Sequence, residues 1–153
     1  MSVKSTEVRQ IYKVSRDLFR VSRLFQRNSV HCGGVTFLQF TILDYLMENK
    51  GSLDLSLLHD LLAVEKSTTT RLVQPIIEKK FIQKKISPSD PRAFRLSITL
   101  LGKNAHKEYW KCLSETIAKF SNQISKEKQM DIIESLSLYT RGVGNLCGDK
   151  CCW

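Results

Sequence analysis

Two stretches of this sequence gather side chains whose types and spacing suit them to chemistry or recognition. The first is Cys147-Gly148-Asp149-Lys150-Cys151-Cys152-Trp153, with three thiols in six residues. Thiolates favour soft ions, so Cys147, Cys151 and Cys152 are candidate ligands for a soft metal or metalloid, held by a tail that folds around it. The same thiols suit a redox switch, in which nearby Lys150 would slightly favour the thiolate. A third reading gives these cysteines no task. His31 and Cys32 are candidates to complete such a site, whereas Cys112 reads as a small packed hydrophobe.

The second stretch is Val64-Glu65-Lys66-Ser67-Thr68-Thr69-Thr70-Arg71-Leu72-Val73. A helix beginning near Lys66 or Ser67 places Leu72, Val73, Ile76 and Ile77 on one face and leaves Ser67, Thr68, Thr70, Arg71 and Gln74 on the other. Short hydroxyl side chains and an arginine let a helix approach base edges and phosphates closely. Pro75 lies inside this helix, where it removes a donor, so a bend or an irregular turn is expected there.

Catalytic signatures are missing. The sequence has no glycine-rich phosphate loop, no Ser-x-x-Lys or Gly-x-Ser-x-Gly elbow and no His-Glu-x-x-His pair. Asp44, Glu48 and Asp54 form no pair with a reason to differ in pKa. A thiol oxidoreductase would show Cys-x-x-Cys at a helix start in a βαβ setting, so a thiol enzyme using the C-terminal cysteines is a remote option. The expectation is that the chain is not an enzyme and requires no cofactor.

The elements that must position these residues follow from apolar periodicity. Val8, Ile11, Tyr12, Leu18, Phe19 and Phe25 predict one long helix over about residues 6–30. On its other side Arg9, Lys13, Arg16, Arg20, Arg23 and Arg27 step by three and four, which reads either as a solvated face or as an electrostatic flank for DNA or an acidic ligand. Gly33-Gly34 breaks that helix. Thr36 caps the next, whose apolar residues Phe37, Phe40, Leu43 and Leu46 run to a stop at Asn49-Lys50-Gly51. Asp54 is the expected N-cap of a short helix with Leu57, Leu58, Leu61 and Leu62 facing inward. After the Lys66 helix, Phe81–Ile86 and Phe94–Ile98 alternate around the turn formers Ser87-Pro88-Ser89-Asp90-Pro91-Arg92, which predicts a basic-tipped hairpin. Thr99 caps a long helix to about Ile124, and a last helix carrying Met130, Ile133, Leu136, Tyr139 and Val143 is expected to fray near Gly142 or Gly144.

The 153 residues carry 24 basic and 15 acidic side chains, a formal charge of +9. The excess falls in two blocks, seven basic against two acidic residues before Cys32 and eight against three from Glu65 to Arg95. Such a balance attracts polyanions without specifying which. Five cysteines is an odd number, and the start Met1-Ser2-Val3-Lys4-Ser5-Thr6-Glu7 lacks the apolar core of an export signal. Mostly reduced thiols, no disulfide framework and a cytoplasmic location are therefore expected, with no membrane association.

With these elements in place, the sequence resembles the MarR (multiple antibiotic resistance regulator) family of winged helix-turn-helix transcriptional regulators. The likeness rests on Thr36-Phe37-Leu38-Gln39-Phe40, on Ser67-Thr68-Thr69-Thr70-Arg71-Leu72-Val73, on the wing tip Asp90-Pro91-Arg92, and on Ile98-Thr99-Leu100-Leu101-Gly102. The resemblance implies a mainly α fold with a small β-hairpin wing. Residues 36–99 would form the DNA-binding lobe, 1–32 and 101–147 the dimerisation helices, and 148–153 a Cys-rich tail. It also implies a homodimer reading a palindromic operator on double-stranded DNA. Lys66, Ser67, Thr68, Thr70, Arg71 and Gln74 would enter the major groove, Arg92 the adjacent minor groove with Asp90 orienting it, and Arg95 would extend the wing's charge. Three positions depart from the family pattern: Lys80 replaces the glycine that ends the recognition helix, His59 replaces a small alanine, and Phe94 with Arg95 adds bulk to the wing.

The expected function is a homodimeric, sequence-specific transcriptional regulator, a repressor released by a small effector. One alternative is a soft metal-, metalloid- or redox-responsive repressor sensing through Cys147, Cys151 and Cys152. Another, from a different class, is a winged-helix protein–protein assembly module without specific DNA binding.

Overall fold

The computed structural model describes residues 5–27, 32–88 and 90–149, and their side chains except at residues 25, 27 and 145–149. The elements are α1 (Ser5–Arg27), a 3-10 turn at Cys32–Gly34, α2 (Phe37–Glu48), β1 (Ser52–Asp54), α3 (Leu55–Leu62), α4 (Lys66–Glu78), β2 (Ile82–Ile86), β3 (Phe94–Ile98), α5 (Leu100–Ser121) and α6 (Lys126–Asp149). The chain divides into two compact units, residues 1–111 and 112–153. This is the expected mainly α winged-helix architecture.

In the first unit, α2 is the central post. Thr36 accepts a hydrogen bond from the Gln39 amide, and the Gln39 side chain accepts one from the Thr36 amide, closing a reciprocal cap over orphan donors of the first turn. The helix then buries Phe40, Ile42, Leu43 and Leu46. Around these pack Leu53 of β1, Leu58 of α3, Val73 and Ile76 of α4, Ile82 of β2 and Leu96 of β3, all buried. Gly33, at a φ of 64°, takes the left-handed turn that ends the run before α2, and a Cβ there would sit 2.5 Å from the Ala105 carbonyl oxygen.

The sheet has the order β1-β3-β2, antiparallel throughout. Leu96 pairs with Leu53 on one side and Lys84 on the other. Strand β1 was not expected: three residues are too few to show an alternating pattern, and the strand exists because β3 offers it a ladder. The hairpin itself falls where alternation placed it.

Helix α3 corrects the sequence expectation. Leu58 is fully buried, but Leu57 and Leu61 are 45% and 38% exposed, and the inward face is instead Leu55, Leu58, His59 and Leu62. Both sets have the spacing of one helical face, and packing against α4, β1 and β3 selects the second. Helix α4 is unbroken across Pro75, so no irregular turn forms there. Its end departs from glycine as the sequence indicated. Lys80 takes a φ of 60°, its amide donates to Ile77 and the Phe81 amide donates to Ile76, which is the double closure of a Schellman end.

Thr99 performs the capping expected of it, its hydroxyl oxygen accepting from the Gly102 amide. A Cβ at Gly102 would overlap the Phe81 carbonyl, so glycine is what lets the start of α5 close against the end of α4. Among the described side chains of α1 all are exposed except Ser15, which is half-buried. In the second unit α6 continues through Gly142 and Gly144 to Asp149 rather than fraying there, and the backbone of Cys147 therefore belongs to a helix.

Candidate nucleic-acid interface

The helix-turn-helix is built by α3 and α4 with a tight link between them. Ala63 ends α3 in the left-handed conformation, with a φ of 50°, and Glu65 opens α4 without a side-chain cap bond. Val73 and Ile76 hold α4 against the core. The same phase buries Thr69, whose hydroxyl lies 3.4 Å from His59 Nδ1 and 3.5 Å from the Glu65 carbonyl. It leaves Lys66, Ser67, Thr70, Arg71 and Gln74 exposed and Thr68 half-buried on the outer face.

These residues differ in how free they are. Thr70 donates its hydroxyl to the Lys66 carbonyl, and Gln74 donates to the Glu78 carboxylate at 3.0 Å. Lys66, Arg71 and Arg92 have no ion pair among the described residues. Their charge is therefore available to an external anion. At the wing, Asp90 accepts from the backbone amide of Arg92 at 2.8 Å. It fixes the turn that carries Arg92, which orients the arginine through its backbone.

Arg95 is placed differently from the others. Its guanidinium donates to both carboxylate oxygens of Asp54, at 2.9 and 3.4 Å, and Ser87 donates to the same carboxylate at 3.2 Å. The hydrogen bond from Arg95 is the main cause holding the Asp54 carboxyl below its usual range, against some desolvation, and the pairing raises Arg95 in turn. Asp54 opens α3 but does not cap it with its side chain. The carboxylate links β1 and β3 to the start of the wing loop, so Arg95 is a brace before it is a contact. Sequence reasoning missed this role because the partners are 41 residues apart. It also missed Ser56, Thr69 and Phe94, which join His59, Lys66 and Arg92 around a cavity of about 260 Å³ between α3, α4 and the wing.

The wing's second strand pair carries Lys84 and Lys85, both exposed, with the Lys84 ammonium 3.9 Å from the Phe94 ring centroid. Phe94 thus supports a cation on the wing's surface.

Residues 33–93 match the sequence model of the MarR family. That match covers most of the winged lobe, from the turn before α2 to the wing loop. The family's proteins are transcription regulators, not enzymes. Solved structures place the fold of nearly the whole chain with MarR regulators. A MarR transcriptional regulator from Methanosarcina mazei is similar with a TM-score of 0.78 at 22% identity, over 90% of this chain and 99% of that one. A transcriptional regulator from Thermotoga maritima is similar at 26% identity and a TM-score of 0.55, over 94% and 99%. BpsR of Bordetella bronchiseptica, whose DNA binding is regulated by 6-hydroxynicotinic acid, is similar at 15% identity and a TM-score of 0.70, over 86% and 98%. No curated protein matches the sequence.

The cysteines divide. Cys32 and Cys112 are disulfide-bonded, against the expectation of no disulfide and of Cys112 as a simple packed hydrophobe. The side chain of Cys147, and Cys151 and Cys152 altogether, lie outside the described residues, as does His31. Among the described residues no group of three His, Cys, Asp or Glu side chains is placed to hold a metal ion, and no helix is long and apolar enough to cross a membrane.

Proposed function

We propose that this MarR-type protein acts as a homodimeric repressor that reads a palindromic operator and is released by a small effector. The observation that carries the reading is the outer face of α4, where Lys66 and Arg71 have no ion pair among the described residues and stand beside Ser67 and Thr70, with Arg92 likewise unpaired among them on the neighbouring wing. Cations left without internal partners at a helix start and a loop tip suit phosphates and base edges.

Dimerisation is supported by apolar surface that each unit leaves uncovered. In the first, Val8, Ile11, Tyr12 and Phe19 of α1 are each more than half exposed. In the second, Phe120, Met130, Ile133 and Leu138 are too. A second copy of the chain would cover such faces in a two-fold assembly. Its two winged lobes would then address half-sites about 34–36 Å apart, one helical turn of DNA.

The effector would act by population shift, favouring a separation of the two lobes that misfits the operator. The likeness to BpsR, an effector-regulated DNA binder, supports this part of the proposal.

The test is a salt titration of binding to a duplex from the region upstream of the protein's own gene. Affinity should fall steeply with salt, and specific binding should exceed non-specific by a factor on the order of a thousand. Flat, weak binding to every sequence would instead favour the protein-assembly role.

A further inference from the structure

The cavity between α3, the start of α4 and the wing has a one-sided chemistry. Its polar lining is Ser56, His59, Lys66, Thr69, Thr70 and Arg92, and no carboxylate reaches it. Two of these, Lys66 and Arg92, are cations with no ion pair among the described residues. Helix α4 begins at this wall without a side-chain cap, so its first-turn amides keep their affinity for an anion.

His59 gives the cavity its specificity. Its Nδ1 meets the hydroxyl of Thr69, a residue only 1% exposed, which anchors the ring from the protein side. Nε2 has no partner among the described residues. Nε2 is the ring nitrogen left for the cavity, and it donates to an anion there when the ring holds its proton on Nε2. An acidic lining would make this a cation site, and an apolar lining would make Lys66 and Arg92 costly neighbours. The set present is one that surrounds a single oxyanion with donors. The adjoining charged groups do not compete: Asp54 is engaged by Arg95 and Ser87, and Glu65 and Asp60 are exposed outside the lining.

We propose that this cavity seats one backbone phosphate of the operator in each half-site, with His59 contacting it directly through Nε2. The proposal rests on the DNA-binding reading and adds a position that neither the recognition helix nor the wing supplies. Lys66 and Arg92 neutralise the phosphate from two sides, while His59 fixes its depth.

The test compares the full-length protein with its His59→Ala and His59→Gln variants on operator duplex, across salt. A second set of duplexes carries a single neutral methylphosphonate linkage walked along one half-site. His59→Ala should weaken operator binding by about a hundredfold or more, the scale of two hydrogen bonds to charged groups lost from the dimer, one in each half-site. Its melting temperature should fall by no more than a few degrees, since the ring is only half-buried and its hydrogen-bond contact with Thr69 is long, at 3.4 Å. His59→Gln, whose amide nitrogen reaches the place of Nε2, should recover much of the loss. One neutral linkage should weaken the parent clearly and the Ala variant little. The seat is overturned if His59→Ala binds like the parent while Arg71→Ala is impaired, or if no linkage distinguishes parent from variant. Absence of specific binding by every form, the parent included, would overturn the DNA reading and the seat with it.

Discussion

Arg71→Ala is the substitution that most cleanly separates recognition from scaffolding. Arg71 is exposed on α4, one turn after Lys66, and its side chain has no partner among the described residues. Removing it breaks no internal contact, so folding stability should change by no more than about 0.5 kcal/mol. A guanidinium that reads a guanine edge or clasps a phosphate contributes about 1–3 kcal/mol. A symmetric dimer loses two copies, about 2–6 kcal/mol together, which weakens operator binding by roughly thirtyfold to twenty-thousandfold. Fluorescence anisotropy on a labelled operator, at several salt concentrations, measures this loss and identifies its source. If both arginines contact phosphates, the log–log salt slope falls by about 1.8. If they contact base edges, the slope holds while discrimination against a mutated operator shrinks. Thermal melting of the same samples checks the scaffold. Operator affinity within twofold of the parent, at unchanged melting temperature, would show that α4 is not the reading helix and that the motif has been placed wrongly.

Other perturbations test the frame that holds this helix. Leu58→Ala empties a fully buried position where α3 meets the core; a loss of about 2–5 kcal/mol should lower the melting temperature by roughly 2–4 °C per kcal/mol for a chain of this size. Thr36→Ala dismantles the reciprocal cap of α2, and urea unfolding should record a loss of about 0.5–2 kcal/mol. Asp54 titrates lower in the folded chain than in the unfolded one, chiefly through its hydrogen bond from Arg95. Its bracing is therefore present in full above the ordinary carboxylate range near about 4 and is lost as pH falls through the lower folded value. Amide exchange in the wing, followed by NMR through that acid window, should rise before exchange in α2, and Asp54→Asn should abolish the difference. Simultaneous loss of protection in both elements would refute a local brace.

The sequence carried the elements with long periodic faces and explicit punctuation. Thr36 with Gln39, Gly33, Thr99 with Gly102 and the turn formers from Ser87 to Arg92 each specify a boundary through a local bond or a local dihedral. Those boundaries lie where the residues placed them. Where two local solutions were equal, the sequence could not choose between them. The leucines of α3 admit two inward faces, and only the positions of α4, β1 and β3 decide that Leu55 joins Leu58 and Leu62 while Leu57 and Leu61 face out. Strand β1 has no pattern of its own and is induced by β3. In the site, residue type predicted exposure well, since the outer face of α4 is the expected one. What residue type could not reveal was commitment. Arg92 and Arg95 look equivalent in the chain, yet one has no ion pair among the described residues and the other is clasped by a carboxylate 41 residues away.

That difference explains how a small wing can present a cation at a fixed place. A three-stranded sheet whose outer strand exposes four of its five residues has little core to hold it, and a loop from Ser87 to Ala93 would otherwise lose its order to chain entropy. Three polar ties act against this. The Ser87 amide donates to the Ala93 carbonyl, closing the base of the loop. The Asp54 carboxylate gathers Ser87 and Arg95 from the loop and from β3. Asp90 then accepts from the Arg92 amide at the tip. Because each tie ends on backbone or on a neighbouring strand, none consumes the Arg92 guanidinium. Removing Arg95 would therefore reduce DNA binding without Arg95 itself touching DNA, through loss of the geometry that sets Arg92 against Lys66 and His59. Arg95→Lys keeps the charge but not the two-pronged clasp, so it should fall between Arg95→Ala and the parent in wing order and in operator affinity alike. If Arg95→Lys instead restores full affinity while the wing amides remain unprotected, charge at this position matters and the brace does not.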